Sequence, residues 1–222
     1  MATSRVAAAD LVVVDRAAGL PAVVGRVVQA AGRVERVVRI VAGEFRGRNL
    51  AAPRTQTIRP TADRLRESLF NVLAHAYDDV VVDARVLDLF AGTGALGLEA
   101  ISRGARYAIF VEEGVEGRGL IRDNIEALGL TGRTKLLRRD ATKLGPAGTV
   151  EPFQLVFADP PYGKGLGEAA LQSAVEGGWL APGALVVLEE EAKAEIGEIP
   201  GLERIETRQA GDSQLVFLKF NG

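Results

Sequence analysis

The chain has no cysteine and only one histidine, His75, among its 222 residues. Without thiols it has no disulfides, thiolate metal sites, iron–sulfur clusters or cysteine nucleophile. One histidine cannot form a multi-histidine metal site, and we expect no metal ion. These absences exclude disulfide scaffolds and thiolate-dependent enzymes.

Long apolar runs are also absent. No segment approaches the roughly 18 apolar residues of a membrane span. Residues 1–32 are rich in Ala and Val but contain five charged residues, so they do not resemble a secretory signal. We expect a cytoplasmic protein with no membrane partner, and residues 1–38 form an N-terminal extension without an assigned role. The composition, 47% hydrophobic and 25% charged, is typical of one α/β domain with a small appendage.

The net charge of −2 conceals an asymmetry along the chain. Residues 33–66 contain nine arginines and three acids, a net charge of +6, whereas residues 67–222 carry −9. A basic segment joined to an acidic body is an electrostatic footprint for a polyanion. The segment therefore predicts nucleic-acid binding, with a solvated basic face as the alternative.

Strand-like and helix-like patterns alternate beyond Asp83. This alternation indicates a parallel sheet with right-handed crossovers and helices on both faces. Two last strand-like segments, near Arg204 and over Gln214 to Phe220, predict a terminal hairpin that adds an antiparallel strand. The other predicted strands are Arg85 to Phe90, Tyr107 to Val111, Thr134 to Arg138, Phe153 to Ala158 and Ala184 to Leu188, and the predicted helices are Ala95 to Arg103, Val115 to Leu128 and Leu166 to Gly177.

The segment before this alternation predicts an appendage over residues 39–80. A run from Arg39 to Ala51, interrupted by two glycines, predicts a β-hairpin. After a linker from Pro53 to Pro60, Thr61 can cap a helix. Apolar residues recur in this helix at a spacing of three to four, which predicts one buried stripe. The stripe consists of Leu65, Leu69, Leu73 and Ala76.

A glycine-rich loop follows the first strand of the alternating region, as Asp88-Leu89-Phe90-Ala91-Gly92-Thr93-Gly94-Ala95-Leu96-Gly97. Its glycines match the dinucleotide-binding pattern, and Glu112 ends the next strand, where an acid can bind a ribose hydroxyl. A nicotinamide-dependent dehydrogenase fits these features. Asp88 and Phe90 instead favour S-adenosylmethionine, because a carboxylate near the loop can meet a cationic amino group. Asp140 closes the third strand, either to accept from an adenine amine or as an exposed strand-end acid.

The tetrad Asp159-Pro160-Pro161-Tyr162 follows the fourth strand, at the sheet edge where open α/β sheets bind ligands. The prolines fix their own φ and press the preceding residues toward extended conformations. The Asp159 carboxylate and nearby carbonyls then become fixed acceptors for an amine. Tyr162 supplies a flat face for stacking, worth roughly 1–3 kcal/mol per base. The tetrad predicts a site for a nucleobase amine, and the alternative is a proline-rich loop.

Together these motifs resemble the RsmD-type ribosomal RNA methyltransferases from Arg39 to about Phe220. Two features depart from that family: Gly114 stands where relatives often place a polar residue, and residues 1–38 have no counterpart. The shared motifs, in the family's order, are Arg39-Ile40-Val41-Ala42-Gly43, Arg46-Gly47-Arg48, Arg59-Pro60-Thr61, Asp63-Arg64-Leu65-Arg66-Glu67, Leu69-Phe70-Asn71, the glycine loop continued through Leu98-Glu99-Ala100, Asn124, and Asp159-Pro160-Pro161-Tyr162.

The resemblance implies a Rossmann-like, class I methyltransferase domain over residues 81–222, with a mostly parallel seven-stranded sheet and a C-terminal antiparallel strand. It implies S-adenosylmethionine as the donor and the N2 amine of a guanine in 16S rRNA as the acceptor. We expect a monomer that acts on the assembling 30S subunit. The expected catalytic residues are Asp159, Pro160, Pro161 and Tyr162, the cofactor-binding residues are Asp88, Phe90, Gly92, Gly94, Glu112 and Asp140, and the RNA-binding residues are Arg39, Arg46, Arg48, Arg59, Arg64 and Arg66.

Three alternatives stay open on the residues alone. The tetrad reads an amine rather than a particular base, so an adenine or cytosine amine in RNA or DNA is a second candidate target. A non-catalytic RNA-binding assembly factor is another, although it would need neither the glycine loop nor Asp159. A dehydrogenase would bind NAD and give no role to the tetrad. Cytosine C5 methylation through a thiolate adduct is excluded by the lack of cysteine.

Overall fold

The computed structural model describes residues 38–53 and 63–222. Most of the predicted N-terminal extension, the predicted linker beyond Pro53, the Thr61 cap and Arg59 lie outside the described residues. The strands are β1 Val38–Arg39, β2 Asn49–Leu50, β3 Arg85–Leu89, β4 Tyr107–Val111, β5 Thr134–Leu137, β6 Phe153–Ala158, β7 Leu180–Glu191, β8 Leu202–Ala210 and β9 Ser213–Phe220, and the α-helices are α1 Asp63–Ala76, α2 Ala95–Ser102, α3 Val115–Ala127 and α4 Leu166–Glu176.

Seven strands form one sheet in the order β5-β4-β3-β6-β7-β9-β8. Strands β3 to β7 run parallel, and β9 pairs antiparallel with both β7 and β8. This confirms the predicted mostly parallel sheet and its antiparallel C-terminal strand. The chain moves outward from β3 to β5 and then returns to β6, so the strand order reverses between β3 and β6. Ligands of such sheets bind outside the carboxyl ends of the strands at this switch point.

The sheet is buried on both faces, as near-continuous apolar strands such as Phe153–Ala158 require. One face packs against α1, α2, α3 and the small β1–β2 hairpin, and the other packs against α4. Phe70 of α1 contacts Phe157 of β6, with ring centroids 5.7 Å apart. Each such large side chain contributes about 1.5–3 kcal/mol when fully buried. No helix in the described part of the chain has the length and apolar character needed to cross a bilayer.

The hairpin and α1 share the core of the sheet. Val38, Ile40 and Leu50 of the hairpin segment belong to the same cluster of buried side chains as α2 and one sheet face. Residues 39–53 and 63–80 are therefore not packed as a separate body from 81–222, and a functional division between the appendage and the rest of the chain stays a prediction. Within α1, Phe70 is buried while Ala76 is exposed, so the predicted stripe is wrong at its last position.

Strand β7 is longer than the predicted Ala184 to Leu188. Its antiparallel pairing with β9 continues from Leu185 to Glu191. Three consecutive glutamates, residues 189–191, therefore belong to a central strand rather than to a solvated loop. This extension carries the end of β7 to the sheet edge where β3 and β6 also end.

Candidate active site

A cleft of about 1140 Å³ opens at the carboxyl ends of the parallel strands. Its lining combines the predicted cofactor side and the predicted base side, and includes Leu65 of the appendage. Gly94 is absent from the lining but forms the N-cap of α2. The predicted residues that line the cleft are Asp88, Phe90, Gly92, Glu112, Asp140, Asp159, Pro160, Pro161 and Tyr162.

The glycine loop has a left-handed backbone. The φ angles are 56° at Gly92 and 78° at Gly94, a region that glycine enters without a steric penalty. Phe90 also has a positive φ, 61°, which is a strained conformation for a bulky residue. Gly97 has a different function, because a Cβ there would lie 2.4 Å from Cε1 of Phe110. The first glycines shape the turn and Gly97 lets α2 pack closely on the sheet.

Asp88 is buried at the end of β3 and accepts a hydrogen bond from the backbone N–H of Gly97, at 2.9 Å. Burial raises the pKa of Asp88 to about 7, against the lowering effect of the Gly97 hydrogen bond, and the charge of Glu112 raises it further. Asp88 therefore fastens the first turn of α2 to the sheet and changes charge near neutrality. Contact with a cofactor amino group stays a prediction.

Glu112 is held by two backbone donors. Its Oε2 accepts from the N–H of Gly92 at 2.8 Å, and its Oε1 accepts from the N–H of Gly114 at 2.6 Å. Gly114, the position where the chain departs from the resembling family, thus orients the carboxylate through its main chain. Gly117 of α3 is the residue that sequence reasoning missed here. A Cβ at Gly117 would lie 2.8 Å from Cδ of Glu112 and 2.9 Å from the Gly92 carbonyl.

Asp140 caps a short 3₁₀ turn, Ala141–Lys143, after β5. Its Oδ1 accepts from the backbone N–H and the hydroxyl of Thr142, at 2.9 and 2.7 Å. These hydrogen bonds lower the pKa of Asp140 below its ordinary value. The carboxylate is therefore ionised near neutrality and lines the cleft, and its contact with an adenine amine stays a prediction.

The tetrad closes the other side of the cleft. Asp159 is half-buried, Pro160 is buried and Pro161 is exposed. The Tyr162 hydroxyl donates to Oε1 of Glu189 at 2.6 Å and lies 2.8 Å from Oγ of Ser213. Burial, together with the hydrogen bond to Glu189, raises the pKa of Tyr162 above its ordinary value. The ring is thus anchored at its phenol end by β7 and β9.

The predicted RNA-binding arginines do not share one environment. Arg59 lies outside the described residues. The prediction that Arg66 binds RNA is wrong, because its side chain is fully buried. Its guanidinium donates to Asp63 and to the Arg39 carbonyl, and its Nε lies 3.5 Å from the buried carboxylate of Glu99. A side chain held in this way cannot reach a phosphate. The exposed members of the set are Arg39, Arg46, Arg48 and Arg64.

The hairpin docks on α2, the helix that follows the glycine loop. Glu99 accepts from the backbone N–H groups of Val41 and Ala42, at 2.7 and 3.0 Å. Ser102 donates to the Ala42 carbonyl at 2.6 Å. Gly43 is required at this contact, since its Cβ would lie 1.8 Å from the Ser102 carbonyl oxygen. The exposed arginines of the hairpin are thereby fixed relative to the cleft.

Asn124 of α3 is buried between the appendage and the glycine loop. Its Oδ1 accepts from the N–H of Ala51 at 2.6 Å, and its Nδ2 donates to the Thr93 carbonyl at 3.0 Å. One side chain thus joins the segment that leaves the hairpin to the loop between Gly92 and Gly94.

Comparisons with known proteins agree with this architecture. A family model described as "Conserved hypothetical protein 95" matches residues 38–219. The ribosomal RNA small subunit methyltransferase D of Escherichia coli K12 is 41% identical over 165 residues, 73% of this chain and 79% of that protein. Its namesake in Haemophilus influenzae is 35% identical over 156 residues, 69% of this chain and 79% of that protein.

Among solved structures, that of yhhF from Escherichia coli is similar with a TM-score of 0.71 at 35% identity, covering 83% of this chain and 98% of that one. The agreement of family model, relatives and fold therefore extends over the sheet, the cleft and the appendage. The chain belongs to the conserved hypothetical protein 95 family, together with the ribosomal RNA small subunit methyltransferase D proteins.

Proposed function

We propose that the protein methylates the exocyclic N2 amine of a guanine in 16S ribosomal RNA, with S-adenosylmethionine as donor, during assembly of the small subunit. The observation that carries the proposal is the shared cleft, in which the glycine loop faces the Asp159 to Tyr162 tetrad at the switch point of the sheet. The names of the relatives support ribosomal RNA of the small subunit as the substrate.

The donor set of the cleft fits S-adenosylmethionine. Asp88 suits a cationic amino group, Glu112 suits vicinal ribose hydroxyls and Asp140 suits an adenine amine, while the glycine loop leaves room beside the backbone. When bound, this cofactor supplies a methyl group activated by its positively charged sulfur. The chain's own residues must then present the acceptor amine.

Asp159 and Pro160 present the amine. The lone pair of an exocyclic base amine is delocalised into the ring, so orientation governs its reactivity. The Asp159 carboxylate and the Pro160 carbonyl accept hydrogen bonds from the two N–H groups of the amine. These hydrogen bonds orient the nitrogen lone pair toward the glycine-loop side of the cleft. Positioning of this kind lowers the barrier by several kcal/mol. As nitrogen bonds to carbon, Asp159 stabilises the positive charge on the amine and accepts its released proton.

Tyr162 holds the base. A base inside a helix cannot reach a cleft, so it must leave its stack and be gripped by stacking and edge hydrogen bonds. The Glu189 and Ser213 contacts fix the orientation of the Tyr162 ring before the base arrives. The base then loses less freedom on binding.

The exposed arginines contact the RNA backbone. Arg46 and Arg48 lie on the hairpin, Arg39 precedes its turn and Arg64 lies on α1. Phosphate contacts give affinity without sequence information and make it fall with salt. They bring the RNA to the protein, and the cleft selects the base.

The decisive experiment maps the methylated nucleotide. 16S rRNA is prepared from a strain that lacks the protein, and both naked RNA and precursor 30S particles are incubated with enzyme and labelled S-adenosylmethionine. We expect N2-methylguanosine at one position by nuclease digestion and mass spectrometry. Methylated adenine or cytosine would identify the second candidate target, and failure to bind the cofactor in calorimetry would support the assembly-factor alternative.

Charge reversal at Arg46 and Arg48 tests the RNA surface. The double variant R46E/R48E should weaken binding and reduce the slope of log affinity against log salt by about one unit per lost phosphate contact. The matched control is R106E, because Arg106 is exposed at the amino ends of the strands, opposite the cleft. Equal salt slopes in the two variants would rule out this assignment.

A further inference from the structure

We propose that Glu189 accepts a hydrogen bond from the ring N1–H of the target guanine. This hydrogen bond selects guanine over other bases that carry an exocyclic amine. The inference rests on the proposed function. The tetrad alone does not determine which base is the target. Glu189 would be a specificity-determining residue: it reads the atom beside the reacting amine.

The register of the sheet brings Glu189 next to Asp159. Ala158 of β6 pairs with Leu188 of β7 in parallel, so Asp159 and Glu189 are the next residues of two neighbouring strands. Neighbouring strand backbones lie about 4.8 Å apart. Both residues line the same cleft. Two carboxyl-bearing side chains are therefore available to two adjacent groups on one edge of a base.

Glu189 is buried although it lines the cleft, with 7% of its surface exposed. Within the described part of the chain, its side chain accepts one hydrogen bond, from the Tyr162 hydroxyl to Oε1. A carboxylate offers about four lone-pair positions and has no donor. Because a buried carboxylate is costly unless it is hydrogen-bonded, this side chain favours a ligand that supplies a further N–H.

The neighbouring Glu190 provides an internal contrast. It is equally buried, at 3% exposure, but it does not line the cleft. Its Oε1 accepts from the backbone N–H groups of Gly163 and Glu191. Main-chain N–H groups thus satisfy one of two adjacent buried glutamates, and the other lines the cleft.

The chemistry of the bases turns this contrast into selectivity. Guanine, adenine and cytosine all offer two N–H groups on an exocyclic amine, so Asp159 cannot distinguish them. Only guanine has an N–H on the ring nitrogen beside that amine; adenine N1 and cytosine N3 are acceptors there. A carboxylate at this position gains a hydrogen bond from guanine and opposes a lone pair of the others. Sites that leave buried polar groups unpaired reject a wrong substrate by about 10⁴–10⁵-fold.

The test removes the N–H on the ring nitrogen beside the amine. The target guanosine, once mapped, is replaced by 2-aminopurine in a ligated 16S rRNA that is reconstituted into particles. This analogue keeps the amine, has an acceptor at N1 and lacks the O6 carbonyl, so the Glu189 and Glu190 variants are needed to assign a preference to N1. We expect wild-type enzyme to prefer guanine by at least about 100-fold in kcat/KM. In Glu189→Gln the amide can donate, so we expect slower transfer to guanine, faster transfer to 2-aminopurine, and a preference at least about tenfold smaller.

Glu190→Gln is the matched control and should keep the wild-type preference. Equal transfer to both bases by wild-type enzyme, or an unchanged preference in Glu189→Gln, would overturn the proposal. A purely structural role for Glu189 would lower both rates together. If Glu189→Gln does not fold, as judged by thermal melting, Glu189→Asp takes its place, and an unchanged preference in that variant would overturn the proposal. Failure of the wild-type enzyme to methylate guanine at all would instead count against the proposed function.

Discussion

The two sides of the cleft are built by different means. The cofactor wall consists of residues 88–97 and Glu112. Here backbone N–H groups of glycines orient the carboxylates of Asp88 and Glu112. The base wall consists of Asp159 to Tyr162 with Glu189 and Ser213. Here side chains orient one another across β6, β7 and β9. The first wall is fixed by close backbone approach and the second by side-chain chemistry. Changes in the first should therefore alter cofactor affinity, and changes in the second should alter transfer rate and base choice.

The largest expected effect is on the base wall. Asp159→Ala removes an acceptor that orients the amine and stabilises its developing charge. We expect kcat to fall by about 100- to 1,000-fold or more, the range seen when one oriented group of this kind is lost. Cofactor affinity, measured by calorimetry, should not change, because Asp159 belongs to the other wall. Retained transfer, or a parallel loss of cofactor affinity, would break the division between the walls.

The next effect concerns two glycines of one helix. Gly117→Ala places a Cβ against Glu112 and the Gly92 carbonyl, whereas Gly119→Ala meets nothing within 4 Å. Overpacking costs about 1–3 kcal/mol, so G117A should weaken cofactor binding about tenfold or more. G119A should instead raise the unfolding free energy by about 0.5–1 kcal/mol. Calorimetry and denaturant unfolding of the two variants measure the difference.

The two walls also differed in how far they could be predicted. The glycine loop and the tetrad are local patterns, and both lie in the cleft where the alternating elements placed them. Gly117 could not be recognised in advance, because only the approach of α3 to the sheet makes its missing Cβ necessary. Glu189 was hidden because three glutamates after an apolar strand look like a solvated end. Pairing with β9, far along the chain, buries it.

Arg66 teaches the same lesson on the appendage. In the sequence Arg66 belongs to a basic cluster, and the neighbouring residues do not distinguish it from Arg64. In the fold it faces the core beside Glu99, which is equally buried, while Arg64 stays exposed. A buried ion pair joins residues distant in sequence, so it follows from the packing of α1 on α2. Local charge predicts a surface, but it does not identify the residues that are on it.

Asp88 allows the cofactor wall to be tested by pH. Its pKa is raised to about 7 in the folded protein, so a cationic cofactor should bind more tightly as the pH rises from 6 to 8, by up to about tenfold. The stability of the folded protein has the opposite pH dependence. A carboxyl group whose pKa is higher in the folded state than in the unfolded state stabilises the fold below its ordinary pKa. This stabilisation is lost as the pH rises through about 7.

Asp88→Asn should remove both pH dependences, as measured by calorimetry and thermal melting between pH 5 and 8.5. Asp140→Asn is the control, because the lowered pKa of Asp140 keeps that carboxylate ionised over the whole range. A D88N variant that retains the wild-type pH profile would show that another group titrates.

The smallest expected effect tests whether the appendage supports the cofactor wall. Asn124→Asp keeps the Oδ1 acceptor for Ala51 but loses the donor to the Thr93 carbonyl. The new carboxylate oxygen faces the Thr93 carbonyl at a buried position, and an unsatisfied buried polar group costs about 1–3 kcal/mol, so cofactor affinity should fall at least about fivefold. RNA affinity should stay unchanged, because Glu99 and Ser102 still hold the hairpin on α2. The control is Asn71→Asp on the exposed face of α1. If N124D weakened RNA binding and left cofactor affinity intact, Asn124 would serve the hairpin alone, and the cofactor wall would stand without support from the appendage.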